Sequence, residues 1–600
     1  MCAITGLYKS NSGIVSLDDI KSLAATLKHR GPNGESYFIE HNVGLYHQRL
    51  AIHDLSADGK QPFVTPNGTQ AIINGEIYNY IRLKDQLARA NRDIHWQSSS
   101  DCEVIPYLYE KHGLDFVEQI RGMYAIALYD KQQQQLILCR DPFGIKQIYY
   151  HQADQGFYFA SELRALQHAL QLKKINFEGL TEIAQLHFAT SNKTAIDGIK
   201  RVLPGETLII KDGKLQSHGF YPSKLGFKPP SRPGVATRAS WLKQFDDTFA
   251  RTVHLHLQSD VPVGLFLSGG IDSTCLLTMI SRLSNQPIHT YTIGFNSAEI
   301  HDERHTAALL AKQFQTQHTE IEFTEDDFWQ LLPHAIRATD DPIADYAIVP
   351  TFKLAQAAAK DVVVVLSGEG GDEVFAGYGR YRSFTRPIWQ KRRELYAKGD
   401  LSRLGLLKAN DQYWRQQLKI LKGSCRESAY SRLYTAQTID MQTWLPNDLL
   451  IKLDRCLMWH GLEGRTPFLD KTLLEFANRL PNNYKLRGKF GKWILRYWLS
   501  EQLENYDAFS HKRGFTVPIR DWLDKRRHWL RDYLLCQPIV KELCHIAKLE
   551  RLLSQPLTKA SAAACWSLLY IALWVEIHIS KNTPLLCHTP NSFKEPALHQ

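Results

Sequence analysis

The 600-residue sequence has no unbroken apolar stretch of the ~20 residues that a membrane-spanning helix requires. Its most apolar segment, Ala562 to Val575, is interrupted by Ser567 and reads as a buried helix, so no membrane partner is expected. The start, Met1-Cys2-Ala3-Ile4-Thr5-Gly6, has no basic region followed by an apolar one. A secretory signal is therefore not expected, and the chain reads as cytoplasmic. Ten cysteines include no CxxC pair and no Cys/His cluster of zinc spacing, which excludes a disulfide framework and a structural zinc. There is also no GxxxxGK[ST], hence no Walker-type phosphate loop. The formal charge of +10 comes without a long basic stripe interleaved with aromatics. Its short runs, Lys391-Arg392-Arg393 and Lys525-Arg526-Arg527, read as solvated helix faces, and no nucleic-acid partner is expected.

What is present is length and a change of pattern. Single hydrophobic cores stop growing near ~250 to 300 residues, so two domains are the natural count. Between Ala71 and Glu162 short alternating apolar runs such as Met123 to Tyr129 and Leu136 to Cys139 alternate with turn residues, which predicts a β-rich first domain over 1–215. A Pro/Gly/Ser-rich stretch within 216–238, ending Pro229-Pro230-Ser231-Arg232-Pro233-Gly234, reads as a linker. From 239 to 580 the pattern becomes strand, glycine loop and helix, then helical beyond Gly379, and 581–600 reads as a tail. Two buried strands, Val263 to Leu267 and Val362 to Leu366, each release a glycine loop at the carboxyl end, where ligands bind in parallel α/β sheets.

Cys2 would carry a thiol and an α-amino group on one residue once Met1 is removed, and that amine can shuttle the thiol proton near neutral pH. Downstream stand His29-Arg30-Gly31-Pro32, His47-Gln48-Arg49-Leu50-Ala51-Ile52, Asn74-Gly75-Glu76-Ile77-Tyr78-Asn79, Ser100-Asp101-Cys102-Glu103 and Arg140-Asp141-Pro142-Phe143-Gly144. In this order the set resembles the class II, N-terminal nucleophile glutamine amidotransferase domain of the asparagine synthetase family. The resemblance implies an Ntn-type αββα sandwich in which Asn74 and Gly75 serve the oxyanion, Arg49 holds the glutamine carboxylate, Glu76 and Asp101 hold its ammonium group, and Leu50 and Ile52 line the pocket. One position departs from the family: Ala3 stands where glycine is usual and would place a methyl group near the thiol.

At the second site the hexapeptide Ser268-Gly269-Gly270-Ile271-Asp272-Ser273 resembles the PP-loop of ATP pyrophosphatases. With Ser367-Gly368-Glu369-Gly370-Gly371-Asp372-Glu373 it extends the resemblance into an adenine nucleotide α hydrolase-like parallel domain. ATP is then expected on Leu267, Ser268, Gly269, Gly270, Asp272, Ser273, Ile293, Ser367 and Gly368, with magnesium on Asp272 and Asp372. Glu369 would serve acyl-adenylate formation or take a proton from ammonia, and Lys512, within His511-Lys512-Arg513-Gly514-Phe515, would neutralise the α-phosphate. Leu462 to Asp470 also matches. The resemblance implies small-molecule substrates: glutamine, ATP and a carboxylate acceptor, with aspartate first and a uronic acid as an alternative. A cyclase resembling β-lactam synthetase or lasso peptide cyclases would need no cysteine, and a homodimer is left open.

Overall fold

The computed structural model describes residues 2–10, 13–220, 236–284, 286–295, 302–387, 389–408, 413–428, 430–510 and 517–580. Most of the segment read as linker, all of the expected tail and Lys512 lie outside these residues.

The first part is two antiparallel six-stranded sheets stacked face to face. One has the strand order Ile199–Arg201, Tyr149–Ala153, Gly156–Ala160, Ala3–Lys9, Val43–Arg49, Gly34–Glu40. The other runs Lys214–Phe220, Glu206–Lys211, Gln135–Arg140, Gly122–Asp130, Gln70–Ile77, Phe63–Val64, so the sheet extends to Phe220, into the segment read as linker. Side chains alternate along each strand and so divide between two cores. Ile4, Tyr8, Ile72, Ala125, Ala127 and Leu138 meet between the sheets. Ala3 and Leu7 point the other way, against Ile20 and Leu23 of the helix Leu17–Ala24 and Leu180 and Ile183 of the helix Phe177–Leu186. The second sheet buries Ile73, Ile126 and Ile137 under the helices Tyr80–Ala90 and Val104–His112. The layers are therefore αββα, as expected.

The second part centres on a five-stranded, wholly parallel sheet ordered Gln317–Phe323, His289–Phe295, Val263–Phe266, Val364–Leu366, Glu463–Arg465. The chain builds outward from Val263–Phe266 on one side, then returns to place Val364–Leu366 on the other. The two glycine loops thus leave adjacent carboxyl ends at the point where strand order reverses, the standard crevice for a ligand in an open α/β sheet. Helices dominate the rest of this part to residue 580.

Two readings change. Lys391-Arg392-Arg393 lies outside any helix, and Arg526 sits between the helices Ile519–Lys525 and Arg527–Cys536, its guanidinium over the Trp329 ring. The apolar helix is also longer than read: Lys559–Ser580 has the length and hydropathy of a span, yet 72 % of its most apolar window is buried inside the protein. Trp566 and Trp574 on it are fully buried and donate to the carbonyls of Ala344 and Asp340 at 2.7 and 3.1 Å. It is a core helix.

Candidate functional site

Cys2 precedes the strand Ala3–Lys9 and is 9 % exposed. By strand alternation it lies on the side of Ile4, whereas the Ala3 methyl is fully buried among Leu7, Ile20 and Tyr46 on the opposite face. The substitution of alanine for glycine is therefore absorbed by the core. The Cys2 backbone nitrogen, a peptide nitrogen while Met1 is attached, donates to Asn74 Oδ1 at 3.2 Å, and Sγ lies 3.9 Å from the Leu50 carbonyl. Burial pushes the thiol above its usual range, and the terminal ammonium opposes that rise.

Asn74 and Gly75 sit inside the strand Gln70–Ile77 and not in a turn. A Cβ on Gly75 would run into the carbonyl of Met123 on the adjacent strand, which is why only glycine fits there. Asn74 is fully buried, and its Nδ2 has no hydrogen-bond partner among the described residues. An unmade buried hydrogen bond costs about 1–3 kcal/mol, so this donor is held ready beside the thiol at a standing cost.

The other residues expected at the glutamine site cluster round it. Arg49 donates to the carbonyls of Ser56, at 2.6 Å, and Asp54. It lines a cavity of about 700 Å³ together with Leu50, Lys60 and, from the second part, Val261 and His460. Ile52 is buried, and its carbonyl accepts from Asp260 N at 3.1 Å. Glu76 is paired at 3.2 Å with both His53 Nε2 and Arg465 of the parallel sheet. Burial would raise its carboxyl, but those two cations hold it down at about 2. Asp101, which accepts from Ile77 N at 2.6 Å, is pushed up to about 6 by burial and by Glu76.

The two parts meet across a buried, ion-paired wall. Arg30, fully buried, holds the Cys2 carbonyl through Nε at 3.3 Å and grips Asp454 through NH1 at 2.7 Å and NH2 at 3.1 Å. Such a forked pair is directional as well as strong. Leu50, Ile52, Tyr78 and Met123 join Leu265, Leu267 and Met458 in one apolar cluster beside it.

At the second site the loop Ser268 to Ser273 leads from the strand Val263–Phe266 into the helix Ile271–Leu283. Gly269 takes φ +70° against Thr306, and Gly270 is the helix N-cap, with no side-chain cap hydrogen bond. Ser268 and Ser273 hydroxyls lie 3.1 Å apart. Leu267 N is bonded to the Tyr291 carbonyl at 2.9 Å, and Ile293 lies on that same strand, His289–Phe295. Ser367 N donates to Arg465 O at 2.9 Å, and its Oγ accepts from Glu369 N at 3.4 Å. A Cβ on Gly368 would come within 2.9 Å of Asp272 Cβ, and one on Gly371 would strike the Asp272 carboxylate, so both glycines let the loops close on each other.

Asp272 and Asp372 converge on Lys492, which pairs with Asp372 at 2.7 Å and with Asp272. The sequence reading missed this lysine. It is 1 % exposed, has φ +54°, and is fixed by donating its N–H to Phe375 O at 3.0 Å. Two carboxylates aimed at one cationic point beside a glycine loop at a helix start fit an oxygen-preferring divalent ion completed by phosphates. Among the described residues no group of three or more His, Cys, Asp or Glu could hold a metal unaided.

A buried N-terminal thiol beside a free amide donor, docked on a parallel sheet with paired glycine loops, defines a glutamine amidotransferase joined to an ATP-dependent ligase. The matching family models agree: a glutamine amidotransferase domain over residues 1–221 and asparagine synthase over 244–576. The chain belongs to the asparagine synthase family. It is 30 % identical to "Asparagine synthetase [glutamine-hydrolyzing] 1" of Bacillus subtilis, over 97 % of both chains. It is 27 % identical to "Amidase chry2" of Gibberella zeae, over 86 % of each. Among solved structures it matches a glutamine phosphoribosylpyrophosphate amidotransferase from B. subtilis with a TM-score of 0.30 and 14 % identity, over 54 % of this chain and 91 % of that one.

Proposed function

We propose that the protein is a glutamine-dependent asparagine synthetase. The observation that carries this reading is that Cys2 sits on the Asn74 amide, whose Nδ2 has no partner among the described residues, on one side of the Arg30–Asp454 wall, while Asp272 and Asp372 converge on Lys492 on the other. After removal of Met1, the Cys2 α-amine takes the thiol proton and Sγ attacks the glutamine amide carbon. The oxyanion is met by Asn74 Nδ2 and Gly75 N–H, and the amine returns the proton to the departing ammonia. Water then frees glutamate from the thioester. Arg49 holds the substrate carboxylate, and Glu76 and Asp101 hold its ammonium group, with Leu50 and Ile52 as walls.

Ammonia crosses to the second site, where an aspartate β-carboxylate oxygen attacks the α-phosphorus of ATP and pyrophosphate leaves with the bonding pair. Ser268, Gly269, Gly270, Ser273, Ser367 and Gly368 hold the phosphates, Leu267 and Ile293 the adenosine, and Lys512 the α-phosphate charge. Asp272 and Asp372 would hold magnesium, whose charge would be available to offset that of the leaving pyrophosphate. Ammonia attacks the acyl carbon, AMP departs, and Glu369 takes the surplus proton. Burial lifts the Glu369 carboxyl above its usual range, a direction that suits a proton acceptor working near neutral pH.

The test supplies glutamine labelled with heavy nitrogen in the amide, MgATP and L-aspartate. Label in the asparagine amide, with AMP and pyrophosphate in equal amounts, is the expected result; stoichiometric ADP, or label only in a different amide, overturns it.

A further inference from the structure

Beside Glu369 lies a charged cluster that none of these steps uses. Asp345 precedes the helix Ile348–Ala358, Lys452 lies on the helix Leu450–Met458, and Asp448 lies in the π-helical turn Leu445–Leu449 that leads into it. Lys452 Nζ pairs with Asp345 Oδ2 at 2.7 Å, while Asp345 Oδ1 accepts from Ala347 N at 2.9 Å. Asp448 is 4 % exposed. Its Oδ2 takes the Trp444 indole N–H, but Oδ1 has no partner among the described residues. Asp345, Tyr346, Gly368 and Glu369 are all partly exposed, and Glu369 of the glycine loop lies near enough to act on the Lys452 charge.

The balance of charge is uneven. Three carboxylates, Asp345, Asp448 and Glu369, share the Lys452 ammonium, since the nearby His187 is paired with Asp400 at 2.9 Å. Burial and the neighbouring Asp345 lift the Asp448 carboxyl to about 7, as expected where acids outnumber cations. A buried carboxylate oxygen left unmatched calls for a partner that the described residues do not supply. A ligand that adds one cation and one anion would complete the set: an ammonium group for Asp448 and Asp345, and a carboxylate for Lys452. A π turn at the spot also fits, because such turns gather at functional sites.

We propose that Asp345, Asp448 and Lys452 form the acceptor subsite, and that the acceptor is a zwitterionic α-amino acid whose side-chain carboxylate reaches Glu369. This rests on the reading that the second site adenylates a carboxylate. A hexuronate brings a negative charge and no cation, so the cluster excludes it.

The full-length protein is assayed for pyrophosphate release with MgATP and ammonium chloride, which bypasses Cys2. Acceptors are L-aspartate, L-glutamate, N-acetyl-L-aspartate, succinate and D-glucuronate. The expected result is saturable release with one of the free amino acids, and less than about a hundredth of its kcat/KM with the last three, as for a site whose buried polar groups are left unmatched. Lys452→Met should raise the amino-acid KM by ~30-fold or more while KM for ATP stays within about 3-fold, and Lys452→Arg should recover most of the loss. Asp448→Asn should shrink the preference for aspartate over succinate. Glutaminase turnover in each variant reports that it has folded. An unchanged KM in a folded Lys452→Met, or glucuronate or N-acetylaspartate working as well as the free amino acid, overturns the subsite alone. Glutamate in place of aspartate overturns the aspartate reading and leaves the subsite standing. No pyrophosphate with any acceptor overturns the ligase reading and the subsite with it.

Discussion

At the first site Cys2, Asn74 and Gly75 lie at the start of one strand and within a facing one, so the packing of two sheets fixes their geometry. At the second, Asp272, Asp372 and Lys492 come from a helix start, a short loop helix and the residue after a small hairpin. Their arrangement depends on charge attraction, on two glycines that let loops touch, and on a lysine in the left-handed region, a conformation that costs of order 1 kcal/mol or more. The contrast is between a site rigid by sheet register and one held by electrostatics. The first presents fixed donors; the second gathers two carboxylates on one buried ammonium.

The sharpest way to break the comparison is Cys2→Ser. Glutamine-dependent pyrophosphate release should fall by ~10³-fold or more, because a hydroxyl does not replace a thiolate, while ammonium-dependent release continues. Loss of both would mean that the two sites are not separable.

Next in size is Lys492→Ala, which leaves Asp272 and Asp372 facing each other without the ammonium. Adenylation should drop ~10²-fold, the usual cost of losing one electrostatic stabiliser, and glutaminase turnover should stay within about 2-fold. An isotope-exchange assay between pyrophosphate and ATP, with magnesium titrated, checks this; full activity in the variant would make the lysine a bystander.

The smallest effect concerns the wall between the sites. Arg30 holds the Asp454 carboxyl down at about 2, although burial alone would raise it. A carboxyl depressed on folding contributes stability that is fully present above its unfolded value near 4 and is lost as pH falls through about 2. The loss should amount to about 2 kcal/mol. Between pH 4 and 2, denaturant melts should show the parent losing about 2 kcal/mol more stability than Asp454→Asn; parallel curves would remove Arg30–Asp454 from the acid response.

How much of this could be read from the sequence follows the same contrast. The first site was legible through a family resemblance carried by short ordered runs such as Asn74-Gly75-Glu76, because such runs are local in the sequence. The parallel sheet was partly legible in Val263 to Leu267 and Val362 to Leu366. The strand Glu463–Arg465 at its edge was not, being only three residues long and without alternation. Lys492 and Lys452 were invisible as site residues, because a lysine between helical segments is ordinarily a surface charge and only the tertiary fold aims these two inward. The same holds for Glu76: its clamp role was inferred, but its pairing with Arg465, almost four hundred positions away, belongs to the docked parts. The Ala3 departure points in the opposite direction, since the face of the strand turned a chemical concern into a packing detail.

The buried helix Lys559–Trp574 has a consequence for synthesis. It packs on the helix Phe177–Leu186 of the sandwich and seals the core around Asp340 and Ala344. At ribosomal speeds of about 5–20 residues per second, the sandwich emerges and folds tens of seconds before that helix exists. Until the segment from Leu265 to Met458 has followed, the Arg30 guanidinium lacks Asp454 and the apolar rim at Leu50 and Ile52 faces water or a chaperone. The nascent enzyme thus carries a half-built thiol site before it owns any place to send ammonia.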